Sequence, residues 1–324
     1  MLGIDIFDQN PDLWEKFNKL MQNPKLKEIF TKFGGRLEVA KIPSQQSIGE
    51  ELANALWNSD ELVFTESLNK KIQEEAGNFE FKPLSNESFK HFQEELAAYG
   101  IDFDFSKKYF NVEAYYGIPG SGKTHQALTE KDKTTLTTDT ILEKLRETKI
   151  ASYSIQPSTS KPEFKLLECM LIICLFLSGT FNDTKTQYIL DLGGLAIMNP
   201  LTTKFLISQL PLENLIFFNG AKNPETIIFR HINNSVNKEK TFMTSMATDT
   251  SDKITETIKT LCNQIIKGTP DESQRLSNLI SAIKEQTPDI QNEFKKLLNT
   301  VTGKYFRDTV YSEEVHKELS DTKI

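Results

Sequence analysis

Three cysteines in 324 residues, Cys169, Cys174 and Cys262, are too few for a disulfide framework. Two of them lie inside one apolar run, where a thiol packs as a small hydrophobe, so the chain reads as a protein of a reducing compartment, the cytoplasm. Histidine is sparse as well: His91, His125, His231 and His316 are scattered without ligand spacing, which argues against a structural zinc site. Basic charge is in the minority, with 38 Lys and Arg against 45 Asp and Glu, a net charge of -7 and a pI near 5.4. Without a basic block the chain lacks the concentrated positive surface that nucleic acid or an anionic membrane attracts, and neither partner is expected. Long apolar runs are missing too. The longest, CMLIICLFL at 169–177, falls well short of the roughly 20 residues that cross a bilayer and reads as a buried helix. MLGIDIFDQN at the start carries Asp5 and Asp8 where a secretory leader carries lysine or arginine, so no standard signal is expected.

What is present is enough apolar residue, 38%, for ordinary cores in a chain of roughly two domains at about 150 residues each. Residues 1 to about 105 read as helices. Asn10-Pro11 and Asn23-Pro24 each give an N-cap followed by a first-turn proline. Leu13, Trp14, Phe17, Leu20 and Met21 then recur at helical spacing, as do Leu26, Ile29, Phe30 and Phe33 before Gly34-Gly35. Further helices are expected over 47–58 and 85–99. No chemistry is visible in this region, which reads as a separate helical domain with a surface for a protein partner.

From about residue 106 the pattern changes. NVEAYYG, TTLTT at 134–138, QYILDL at 187–192 and NLIFFN at 214–219 are β-prone runs with helical segments between them, the signature of a parallel sheet covered by helices. Polar helices return over about 233–300, with loops such as GTPDES at 268–273. The expected fold class is therefore α/β with flanking helices, an all-α domain over 1–105 and a helical insertion in the domain spanning 106–324.

Between the first β-run and a helix lies GIPGSGKT, residues 117–124. Backbone N–H groups can turn inward around an anion only where glycines relax the chain, and Gly117, Gly120 and Gly122 supply that freedom around Ser121. Lys123 can reach β- and γ-phosphates, and Thr124 offers a hydroxyl to Mg2+. Average residue usage produces this pattern by accident on the order of once in a hundred chains of this length. The octet alone leaves small-molecule kinases, GTPases, helicases and ATPase motors equally open, since all cradle phosphates in this way.

Later stretches, joined to the octet, make the chain resemble the shikimate kinase family of P-loop kinases. TLTTDTILEKL places Asp139 after the second strand, with Thr137 at the family's preceding acidic position; PEFKLLECMLIICLF offers Phe164, Lys165 and Glu168 for the family's phenylalanine, arginine and glutamate. Taken alone, Lys165 reads better as one solvated charge on an amphipathic helix. YILDLGGLAI keeps Gly193 and Gly194 of three family glycines, and FRDTVYSEEV supplies Arg307 and Tyr311. Asp191 stands where many P-loop proteins hold Mg2+ through water, and reads equally as part of a plain loop after a strand. In NLIFFNGAKNPETIIFR, Pro224, Glu225 and Arg230 follow in the family's order, and Lys238 and Lys240 stand in place of a lid arginine. The resemblance covers 111 to about 235 and 298–316.

That resemblance implies an ATP-dependent kinase, with Mg2+, that moves the γ-phosphoryl group to a hydroxyl of a small and perhaps acidic metabolite. Lys123 would neutralise phosphates, Asp139 would aim or deprotonate the acceptor, and Lys165 and Arg307 would grip an anionic group beside Gly193 and Gly194. Zeta toxins share the PGSGKT loop, so a toxin-like effector kinase, in which case the compartment could be a host cytosol, is the runner-up. A nucleotide-gated interaction protein is the alternative of another class.

Overall fold

A computed structural model describes residues 4–34, 45–58, 61–76, 81–147, 162–193, 196–237 and 249–321. The chain is mostly helical, with one small parallel sheet. Six helices come first: α1 (Ile4–Gln9), α2 (Pro11–Gln22), α3 (Pro24–Gly34), α4 (Gln45–Trp57), α5 (Glu61–Ala76) and α6 (Asn86–Ala98). Their starts follow from their caps. The Asn23 side chain accepts from the backbone N–H of Lys25 and Leu26 at 3.0 and 3.2 Å, and Ser85 Oγ accepts from Ser88 N at 3.2 Å. Asn10 precedes Pro11 but makes no side-chain cap, so the fixed proline φ starts that helix unaided.

Strands β1 (Val112–Gly117), β2 (Thr134–Thr137), β3 (Tyr188–Asp191) and β4 (Leu215–Phe218) alternate with α7 (Lys123–Thr129), α8 (Thr138–Glu147), α9 (Pro162–Leu177) and α10 (Pro200–Gln209). The order is β2-β3-β1-β4 and every pairing is parallel, so β1 and β3 are central and the C-terminal ends of all four strands share one edge. The helices α11 (Pro224–Asn237), α12 (Asp249–Gly268) and α13 (Arg275–Lys284) follow, then α14 (Pro288–Asp321), a single helix of 34 residues. Among the described residues no helix is long and apolar enough to cross a membrane.

The contacts divide the chain into two compact units, one of Met1–Val39, Glu80–Phe218 and Ser312–Ile324, the other of Ala40–Phe79 and Asn219–Tyr311. This division cuts across the boundary near residue 105 expected from the sequence. The reason lies in α9, whose residues from Cys169 to Phe176 are each at most 1% exposed. A helix apolar on every side must be covered on every side. The partners of α9 include α2, α3 and α10, so α2 and α3 complete the core of the sheet unit, whereas α4 and α5 fall in the other unit. Asn199 fixes one joint: its Oδ1 caps α10 from Leu201 N, while its Nδ2 donates to Gly34 O at 2.9 Å. The second unit has its own close packing, in which Gly49 of α4 and Gly303 of α14 meet so tightly that a Cβ on Gly49 would lie 2.8 Å from Gly303 Cα.

Candidate functional site

The GIPGSGKT stretch leaves the C-terminal end of β1 and enters α7. All three of its glycines adopt positive φ, Gly120 at +82°. Gly117 has φ +142° and pairs with Phe218, whose carbonyl oxygen would lie 2.4 Å from any Cβ placed there. Gly122 has φ +98°, a left-handed conformation, although the space beside it is open. Between them the chain closes a tight turn, with Ser121 N and Oγ both donating to Ile118 O, at 3.3 and 2.8 Å.

Lys123 lies folded into this loop. Its Nζ donates to Gly117 O at 2.9 Å and to Ile118 O at 3.0 Å, and the residue is only 6% exposed. Burial pushes its ammonium down to about 8, against the opposing pull of Asp191 and Asp139. The next residue reaches β3: Thr124 Oγ1 donates to Asp191 Oδ2 at 2.6 Å. Asp191 is 2% exposed, and burial raises its carboxyl despite the Thr124 hydrogen bond and the charge of Lys123. A hydroxyl and a carboxylate held together form an oxygen-only donor pair of the kind that suits Mg2+, which keeps most of its waters. Among the described residues no group of three or more His, Cys, Asp or Glu is arranged to hold a metal by itself.

The next elements bring more oxygen to the same edge. Thr138 starts α8, is fully buried, and its Oγ1 accepts from Gly193 N at 2.7 Å. Gly193 follows β3, and a Cβ there would meet Thr138 Oγ1 at 2.6 Å, Glu168 Oε1 at 3.0 Å and Asp139 Oδ1 at 3.3 Å. Asp139 itself is exposed. Thr137, the last residue of β2, is in register with Asp191, and its hydroxyl oxygen is buried without a hydrogen-bond partner. Paired residues of a parallel sheet point to one face, so Thr137 and Asp191 both lie toward α7, as does Thr135, whose Oγ1 donates to Ala127 O at 3.0 Å.

Of the residues singled out from the sequence, Gly117, Gly120, Ser121, Gly122, Lys123, Thr124, Asp139, Asp191 and Gly193 lie along this one edge of the sheet unit. Gly194, Lys238, Lys240 and the side chain of Lys165 lie outside the described residues. Arg307 belongs to the second unit, where Nε and Nη2 both donate to Asp308 Oδ1, at 2.9 and 2.7 Å. Thr138 was not singled out: nothing in TTDT separates a cap from a strand residue until the helix after it is known. Asp308 was not either, although its place beside Arg307 was the available signal. No protein family, curated protein or solved structure matches this chain.

Proposed function

We propose that the protein is an ATP-dependent phosphotransferase that moves a γ-phosphoryl group onto a hydroxyl of a small molecule. The observation that carries this reading is the loop itself: glycines in conformations that other residues resist, a buried lysine folded inside, and a threonine hydrogen-bonded to a buried aspartate on the neighbouring strand. A surface turn with an incidental lysine would leave that lysine in water. Here the chain accepts the cost of burying an ammonium, which is worthwhile where an anion is to be met.

In this reading the loop is a P-loop of the Walker A kind. ATP with Mg2+ supplies the transferable phosphoryl group when bound. The loop N–H groups and Lys123 hold the phosphates, for which Lys123 releases the two carbonyls it now occupies. Thr124 and Asp191 would hold Mg2+, which when bound would neutralise phosphate charge. Asp139, exposed at the same edge, accepts the hydrogen bond of the acceptor hydroxyl and takes its proton as the oxygen bonds to the γ-phosphorus. The β–γ bridge breaks and ADP leaves with the bridging oxygen. Phosphoryl transfer asks chiefly for positioning and charge neutralisation, which is what this set of groups provides.

Incubation of the full chain with γ-labelled ATP, Mg2+ and a metabolite extract tests the reading, by following where the label goes. A labelled small molecule is expected with the native chain and not with Lys123→Ala of unchanged circular dichroism. Equal labelling by the two proteins would refute it.

A further inference from the structure

In the reading above the acceptor is aimed by Asp139, which sits in the first turn of α8. A reacting group displaced by about 1 Å can lose rate on the order of a hundredfold, so whatever seats α8 bears on the reaction. One end of this helix is tied to the sheet, where Thr138 Oγ1 accepts from Gly193 N at 2.7 Å. Its inner face, Ile141, Leu142 and Leu145, is at most 4% exposed.

The other end of α8 is tied to the N-terminal helices of the same unit. Lys144 pairs with Asp8 of α1, and its ammonium lies 5.2 Å from the ring centre of Trp14 on α2. The Lys144 side chain is only 15% exposed, unusual for a lysine. What it meets is a packed platform: Trp14 lies 5.0 Å from Phe7 and 5.6 Å from Phe17 between ring centres, both phenylalanines are buried, and α2 packs on α9. Asp8 is 62% exposed, and an ion pair with one partner so open to water adds little to global stability. A role in holding a helix at a set angle accounts better for a lysine confined between an aspartate and an indole.

We propose that Lys144 is a positioning residue, which with Asp8 and Trp14 seats α8 so that Asp139 meets the acceptor hydroxyl. The proposal rests on the phosphotransferase reading and makes α1 and α2 part of the working unit. Lys144 and Asp139 are five positions apart on one helix, about 7.5 Å of rise, so a tilt at one is passed to the other. A helix tied only at Thr138 pivots there, and the Lys144 contact removes that pivot. The nucleotide side is independent of it: Lys123 bonds to its own loop and Thr124 to β3. Loss of the Lys144 contact therefore falls on the acceptor and spares the nucleotide.

Three full-length variants test this: Asp8→Asn, Lys144→Glu, and the exchange Asp8→Lys with Lys144→Glu. Each is given γ-labelled ATP, Mg2+ and a metabolite extract, and the rate of label transfer to small molecules is read beside the affinity for a non-hydrolysable ATP analogue and the melting temperature. Lys144→Glu, which sets two carboxylates against each other, is expected to slow transfer about tenfold, within the range for a displaced reacting group. Asp8→Asn, at an exposed position that does not threaten folding, is expected to slow it severalfold, and the exchange to recover most of the rate. Analogue affinity and melting temperature are expected to stay near native in Asp8→Asn and in the exchange. Native transfer rates in both single variants overturn the inference, as does a loss of analogue affinity that matches the loss of transfer in Asp8→Asn. A native chain that binds the analogue but labels no small molecule overturns the phosphotransferase reading itself, and the inference with it.

Discussion

Lys123 carries an electrostatic cost that its hydrogen bonds to Gly117 O and Ile118 O only partly offset. Its ammonium is pushed down from the ordinary 10.5 to about 8 by burial, so between those values the unfolded chain holds a proton that the folded chain has released. Stability therefore rises with pH across that window, and below pH 8 the full penalty applies, on the order of 3 kcal/mol for a shift of this size. Lys123→Met removes the penalty and keeps the volume. Denaturant unfolding of the two proteins between pH 7 and 10.5 should show Lys123→Met more stable at pH 7, with the gap closing as pH rises. A gap independent of pH would mean that the lysine is not buried as a cation. Thr124 gives a second prediction at this scale. Thr124→Val leaves the Asp191 carboxylate buried without its hydroxyl partner, and a loss of about 1 to 3 kcal/mol is expected by the same unfolding measurement at pH 7.

Among elements, tight helix and strand contacts decide which glycines can change. Gly49→Ala would press a methyl to 2.8 Å from Gly303 Cα, backbone against backbone, with no flexible side chain to give way. Moving α4 off α14 should cost about 1 to 3 kcal/mol in thermal or chemical unfolding. Gly268→Ala, with nothing within 4 Å of its added Cβ, is the control and should be nearly neutral. Gly49 lies in a stretch that reads as helix from its sequence, but nothing in SIGEEL tells that a helix some 250 residues later approaches it. The same limit governs the rest of the fold. All four strands were legible as β-prone runs, because β-branched and aromatic residues cluster there between turn signals, and GIPGSGKT marked the loop because glycine spacing is a local property. The 34-residue length of α14 was not legible, since its apolar stripe is weak and its start was read as part of an insertion. The oxygen lining around Gly193 was not legible either: it depends on α8, α9 and β3 meeting, and long-range meetings leave no local mark.

At the scale of the whole chain, the two units are each assembled from separated segments, and this makes truncation hazardous. The sheet unit takes α1, α2, α3 and α6 from the N-terminal region, whereas α4 and α5 group with residues 219–311. Removing residues 1–105 would therefore strip α9 of α2 and α3, leaving the apolar run around Leu171 and Ile172 in water on the sides they now cover. Exposed apolar surface of that kind binds hydrophobic dyes and drives aggregation. The same cut would take α4 from the second unit, and with it the hydrogen bond from Thr302 Oγ1 to Gly49 O at 2.9 Å and the Trp57–Phe294 ring contact. Neither unit survives such a cut intact. A fragment of residues 106–324 is expected to lack a cooperative thermal transition and to bind such a dye strongly, while the full chain melts cooperatively and binds little. A fragment that melts cooperatively and still binds a nucleotide analogue would show instead that the N-terminal helices are accessory to a self-sufficient core, and that α9 finds other cover when they are gone.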